Sequence, residues 1–328
     1  MNWDELREVW TIPEPSLVRS ITLGINNLTQ VLETTSGNYV LRTYPIDRSF
    51  KHIRYELNVL RNLQQKNLPF QIPTPIPTLA GESFAILSEE IFTLSPWLAG
   101  AIPQNDNLEQ AYAAGQALSE LVKALVDIEV EITPQVAPFP LSGDFEGWAR
   151  IPIRPVELVQ SLPLTRDEQI QTLILLERTQ TLTSSLYQTL PQQIIHRDYD
   201  QSNILMEGNL VTGVLDFEFC GPDLRILDLA YALSQWPYGL WNTGKEWLVI
   251  DAFAQGYLRR QRLTSPELEA LPYVFRLRDA RTIFFRLGRY RQGLETQESM
   301  CERIQEILIN ESWLEKHEKE LLSHIHGW

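Results

Sequence analysis

Two apolar pairs, Ile194-Ile195 and Ile204-Leu205, enclose a run that no purely structural strand would carry: His196-Arg197-Asp198-Tyr199-Asp200-Gln201-Ser202-Asn203. Glu207-Gly208-Asn209 then reads as a turn. Val211-Thr212-Gly213-Val214-Leu215 resumes a strand pattern and delivers Asp216-Phe217-Glu218 at its end. A hairpin-like return of this kind brings Asp216 back beside Asn203. The chain must therefore fold so that a polar loop and a β-hairpin present acids and an amide together.

Those residue types suit phosphoryl transfer. An attacking hydroxyl needs a group that accepts its proton or orients it, and Asp198 fits that role. A triphosphate needs hard oxygen ligands for magnesium, and Asn203 with Asp216 supplies them. The spacing from His196 through Asp198 to Asn203 is that of the protein-kinase catalytic loop, with Asp-Phe-Glu where Asp-Phe-Gly would follow. Asp200 and Glu218 read equally as aids to metal or substrate and as carboxylates that brace the loop. The bland reading of the whole set is a polar turn with helix caps.

The rest of the chain divides by character. Val31–Thr35 and Tyr39–Arg42 flank Ser36-Gly37-Asn38 and read as a hairpin. Residues 49–65 follow a helical period, with Ile53, Leu57, Leu60 and Leu63 on one face. Pro73, Pro75 and Pro77 interrupt regular structure. Strand-like runs follow at 84–87 and 91–94, and then a connector, Ser95-Pro96-Trp97-Leu98-Ala99-Gly100. A long helix begins at 108, capped by Asp106 or Asn107, and a second helical region spans 155–190 with a break near Pro163. Beyond the hairpin the remainder reads as helix. The expected organisation is an N-terminal lobe at 1–95, a hinge at 96–100 and a C-terminal lobe at 101–328.

Formal net charge is −14, which argues against general binding of nucleic acid. No apolar stretch approaches a membrane span, and the N-terminus lacks a signal-peptide pattern, so a soluble cytoplasmic protein is expected. Cys220 and Cys301 read as reduced thiols. His317, His324 and His326 fall in a polar C-terminal helix and tail, where solvation is expected over metal binding.

The segment from His196 to Asp216 resembles the aminoglycoside-phosphotransferase superfamily, which includes type II homoserine kinases, choline kinases and methylthioribose kinases. Its loop commonly reads His-Gly-Asp, four residues, then Asn. Asp216-Phe217-Glu218 and Asp228-Leu229-Ala230 are similar to its later motifs, whereas Arg197 departs from the commoner Gly. The resemblance runs in order over roughly residues 20–290, and only 194–230 is specific. It implies an α+β, bilobal protein-kinase-like fold, with a small β-rich N-lobe, a larger helical C-lobe and ATP in the cleft between them. It also implies roles for other residues. Arg42 is the cation on the phosphates, and Glu56, fourteen residues on, is its acidic brace. Gly24-Ile25-Asn26-Asn27 resembles the phosphate loop, with Asn27 a nucleotide contact. Ser95 and Trp97 lie where backbone groups meet adenine. His196 and Asp228 support the loop.

The expected activity is an ATP- and magnesium-dependent kinase acting on a small-molecule hydroxyl, with an amino-acid-like acceptor such as homoserine among the options. Two alternatives stand beside it: a catalytically silent binding module, and a protein kinase. No motif residue is lost, which speaks against the first. Only ten residues separate Glu218 from Asp228, too few for a regulatory loop, which speaks against the second.

One segment opposes the net charge. Six arginines and one acid, Asp279, lie between Arg276 and Arg291. At 100° per residue Leu277, Ala280, Ile283, Phe284 and Leu287 form an apolar face, with Arg278, Arg281, Arg289 and Phe285 opposite. Those arginines either pair with nearby carboxylates or receive an anionic group of the acceptor.

Overall fold

The computed structural model describes residues 3–21, 28–45, 50–128, 139–325 and 327–328. Asn27 and His326 lie outside them. In chain order the elements are α1 (Trp3–Val9), β1 (Leu17–Ile21), β2 (Leu28–Thr34), β3 (Gly37–Pro45), α2 (Phe50–Gln64), β4 (Ala85–Leu87) and β5 (Glu90–Pro96). There follow α3 (Leu108–Val126), α4 (Phe145–Ala149), α5 (Pro155–Ser161), α6 (Arg166–Thr189), β6 (Gln192–Ile195), β7 (Ile204–Glu207), β8 (Leu210–Val214) and β9 (Gly221–Leu224). The last helices are α7 (Leu227–Gln235), α8 (Glu246–Leu258), α9 (Ser265–Arg291) and α10 (Gln297–Ile325). Among the described residues no helix is long and apolar enough to cross a membrane.

The chain forms two compact units. The first holds the residues up to Ile102 together with Asn203–Phe219. The second holds Pro103–Val126, Phe139–Ser202 and Cys220–Trp328. The hairpin that carries Asp216 thus groups with the N-terminal residues, although it lies far along the chain.

In the first unit a five-stranded sheet runs in the order β1-β2-β3-β5-β4, and each adjacent pair is antiparallel. Side chains alternate faces along a strand. Leu41 of β3 and Phe92 and Leu94 of β5 therefore bury with Leu6 and Trp10 in one cluster. Tyr44 and Ile91 bury on the other face with Ile53 and Leu57 of α2. Arg42 shares its face with Tyr44, so period two alone points it toward α2. The connector after β5 is sewn to the β7–β8 hairpin. Ala101 N–H donates to Met206 O at 2.9 Å, Met206 N–H returns to Ala101 O at 2.8 Å, and Thr212 Oγ1 donates to Ala99 O at 2.8 Å. Gly100 permits this approach, because a Cβ there would stand 2.7 Å from Thr212 Oγ1 at a φ of +141°. The connector starts later than its composition suggests: Ser95 and Pro96 are still β5, opposite Val40 and Tyr39.

The second unit is helical around two short strands. Asn107 caps α3, its Oδ1 accepting from Glu109 and Gln110 N–H. α3 and α8 touch backbone to backbone: a Cβ on Gly115 would lie 2.0 Å from Phe253 O, and one on Gly256 2.0 Å from Tyr112 O. β6 pairs with β9, a strand within the stretch expected to be helical. α9 differs from its projection as well. Arg276, Arg278, Arg281 and Phe285 are buried along with the apolar face, because α4, α6, α7 and α10 all pack against the helix. His324 is not a solvated tail residue either. It stacks on Trp247 at 4.4 Å, and its Nδ1 lies 3.0 Å from Asp251.

Candidate active site

The first unit gathers four of the residues singled out by sequence. Glu56 lies on the buried stripe of α2, between Ile53 and Leu57, where an acid needs a partner. Arg42 supplies one, its Nη1 standing 3.1 Å from Glu56 Oε1. Its Nη2 donates to Asp216 Oδ1, also at 3.1 Å. Burial alone disfavours the Arg42 charge, but Asp216, Tyr44, Glu56 and Glu218 together outweigh it and hold the pKa well above the ordinary value. Asn203 is tied to this set through the hairpin ladder, since Leu215 N–H donates to Asn203 O at 2.8 Å. Asp216 itself adopts a left-handed φ of +58°, a conformation that costs a residue with a Cβ on the order of 1 kcal/mol. The carboxylate of Asp216 and the amide of Asn203 are hard oxygen donors. Such a pair fits magnesium, which takes one or two protein ligands and fills its remaining positions from phosphate and water.

Ser95 and Trp97 are placed beside β3 in the same unit. Ser95 pairs with Val40, and Trp97 N–H donates to Asn38 O at 2.9 Å. Trp97 is 42% exposed, so its ring is open to solvent while its backbone N–H is already engaged.

The second unit holds Asp198, and the structure surrounds it with supports. Asp228, at the start of α7, accepts from His196 N–H at 2.8 Å and from Arg197 N–H at 2.6 Å. His196 accepts the Asp198 N–H at 3.2 Å through Nδ1, which leaves its ring proton on Nε2. Tyr199 ties the loop to α3 by donating to Ala114 O at 2.9 Å. Burial pushes Asp228 up to about 6, against the lowering effect of its two backbone donors. Tyr231, one turn along α7, donates its hydroxyl to Asp198 Oδ1 at 2.7 Å. Burial and the nearby Asp198 hold that phenol well above its usual range, so it stays a donor. Asp200 caps the turn that follows, accepting from Ser202 N–H and Oγ.

Arg197 has a left-handed φ of +68° and no exposure at all. Its Nε lies 3.0 Å from Asp223 of β9, and its Nη2 donates to Pro222 O. Asp223 also accepts from Ser142 N–H at 2.9 Å, Ser142 Oγ at 2.7 Å and Tyr187 OH at 2.6 Å. The guanidinium is thus a buried brace for the loop that carries Asp198. A nearby groove of about 530 Å³, lined by Gly143, Asp144, Glu146, Thr183 and Tyr187 among others, includes none of the residues singled out by sequence.

A model of the phosphotransferase enzyme family matches residues 18–271. The chain belongs to that family. Its curated relatives include the homoserine kinase of Methylobacillus glycogenes, 27% identical over 275 residues, or 83% of this chain and 79% of that protein. The homoserine kinase of Rhodopseudomonas palustris (strain BisA53) is also 27% identical, over 87% of this chain and 83% of its own. Among solved structures, an amicoumacin kinase bound to AMP-PNP, Ca2+ and amicoumacin superposes with a TM-score of 0.70 at 14% identity, covering 94% of this chain and 92% of that one. A microcompartment-associated aminopropanol kinase gives 0.66 at 18% identity, covering 97% of each chain. The fold is the kinase-like α+β fold of these proteins. The protein is a small-molecule phosphotransferase with a hydroxyl acceptor.

In this family member the residues that sequence reading alone passes over are Tyr231, Asp223, Ser142 and Tyr187. Tyr231 directly follows the Asp228-Leu229-Ala230 motif, and its helical spacing from Asp228 was the available signal. Asp223 stands in Gly-Pro-Asp-Leu, which carries no local signal, and its partners lie up to 81 residues away. The arginines of α9 do not act as one face. Arg276 pairs with Glu311 and Glu318, Arg278 with Asp279, and Arg286 with Glu295. Arg289 lies 3.6 Å from Glu295 and donates to Leu294 O. For these four the pairing with carboxylates holds.

Proposed function

We propose that this phosphotransferase moves the γ-phosphate of ATP to the hydroxyl of a small hydroxy amino acid of the homoserine type, with magnesium as the metal. The observation that carries the reading is the Arg42 guanidinium 3.1 Å from both Glu56 and Asp216. It unites a phosphate-gripping cation, its brace and a metal-ligating acid. The curated homoserine kinases, matched over more than four fifths of this chain, support the choice of acceptor.

In this reading Asp198 orients the acceptor hydroxyl and takes its proton, with Tyr231 fixing the carboxylate. Arg42 steadies the phosphates, and its planar fork grips two oxygens where a lysine would offer a point charge. Asp216 and Asn203 would hold magnesium, which when bound neutralises charge on the phosphates. Ser95, Trp97 and Asn27 are assigned to the nucleotide. Positioning and charge stabilisation are the protein's whole contribution.

The test is ADP release in a coupled assay with ATP, magnesium and a panel containing homoserine, choline, a sugar and an aminoglycoside. Turnover of homoserine above the others is expected. ATP binding without turnover of any acceptor would instead mark a silent binding module.

A further inference from the structure

Arg281 is the exception among the arginines at the centre of α9. It is 7% exposed, yet no carboxylate lies within ion-pair distance of it among the described residues. Its hydrogen bonds are long: Nη1 and Nη2 reach Arg197 O at 3.5 and 3.4 Å, and Nη1 reaches Ser142 Oγ at 3.5 Å. The guanidinium rests instead over the Trp148 ring at 4.8 Å and lies 6.0 Å from that of Tyr231. One turn back, Arg278 covers Tyr231 at 4.4 Å, and its Nε has no hydrogen-bond partner among the described residues. Tyr231 is the residue that donates to Asp198.

A buried guanidinium that only braced a carbonyl would make short bonds to it, because burying a charge without good partners is costly. Burial lowers the Arg281 pKa; Arg278 and Arg197 add to the effect, and the nearby Tyr231 and Asp198 oppose it without outweighing it. The guanidinium charge is therefore only partly compensated at that point. Planar forks match carboxylates in a bidentate manner. The remaining arginines of the helix, Arg291 aside, already have such a partner within the protein.

We infer that Arg281, with Arg278 beside it, receives the carboxylate of the acceptor, so that the substrate class is a small alcohol bearing a carboxylate. Arg281 binds the carboxylate while Asp198 faces the hydroxyl, and the two groups define the ends of the acceptor. Arg276, Arg286 and Arg289 take no part. The inference rests on the kinase reading above, but its test separates the two.

The probes are homoserine and 3-aminopropan-1-ol, which share the hydroxyl and the amine and differ by the carboxylate. Wild-type protein is expected to bind homoserine at least about 10-fold more tightly in calorimetry, the scale of a charge-assisted bidentate contact. Arg281→Gln should erase that preference by weakening homoserine alone, with ATP affinity and 3-aminopropan-1-ol affinity unchanged. Arg281→Lys, which keeps the charge without the fork, should fall between, and it replaces the glutamine variant if that one does not fold. Equal wild-type affinity for the two probes, binding of neither, or a parallel loss of both in the variants would overturn the inference. Binding preference without turnover would overturn the kinase reading and leave this one standing.

Discussion

Arg42 Nη2 stands 3.1 Å from Asp216 Oδ1 although 174 residues separate them in the chain. The contact depends on two independent pieces of local physics. The alternation of β3 turns Arg42 toward α2, and the β7–β8 hairpin, fastened to residues 99–101, returns Asp216 to the same unit. Neither acid reaches Arg42 by proximity in sequence.

Loss of this cation should act on the nucleotide. Arg42→Ala is expected to raise the ATP KM by about 10- to 100-fold, the equivalent of a hydrogen-bonded charge, and to lower kcat as well. Arg42→Lys should restore part of the loss. Steady-state kinetics with ATP varied at saturating acceptor read the effect. An unchanged ATP KM would reduce the pair with Glu56 to a structural contact.

Asp216 brings a full charge to the metal where Asn203 brings a neutral oxygen. Asp216→Ala is therefore expected to abolish the magnesium dependence of ATP binding in calorimetry, and Asn203→Ala to weaken it. Persistence of the dependence in Asp216→Ala would place the metal elsewhere.

Asp228 makes stability depend on pH with a definite sign. Its carboxyl is pushed up to about 6 in the folded protein, against about 4 when unfolded. Between those values the native state holds the extra proton, so this group's contribution to stability falls as pH rises from about 4 to about 6. The full change is about 3 kcal/mol at most. Asp228→Asn removes the titration but offers one acceptor oxygen to two backbone donors. Urea unfolding of both proteins should show the advantage of wild type over the variant shrinking from pH 4 to pH 7. A constant or growing advantage would contradict the assignment.

Much of this architecture was legible in the residues, and the exceptions have physical reasons. The period of residues 49–65 located α2, and Asn107 marked the start of α3. The loop from His196 to Asn203 stood out by its spacing, and the structure braces it through Asp228 and Tyr231. β9 was not legible, because Gly-Pro-Asp-Leu opposes strand propensity and pairs only through tertiary context. The burial of Arg278 and Arg281 was hidden for a related reason. A helical projection assumes one face in solvent, whereas α4, α6, α7 and α10 pack around α9. Arg197 read as a departure from the family pattern, and only the fold reveals Asp223 as the buried partner that accommodates it.

The central claim is that Asp198 handles the acceptor's proton within a loop built by Asp228, Tyr231 and Arg197. The most direct measurement is turnover by Asp198→Asn alongside its affinity for ATP and magnesium. The account predicts that nucleotide affinity stays within about 2-fold of wild type while kcat falls by about 10²–10⁴-fold, the range for loss of a general base. Near-normal turnover by the variant would contradict it.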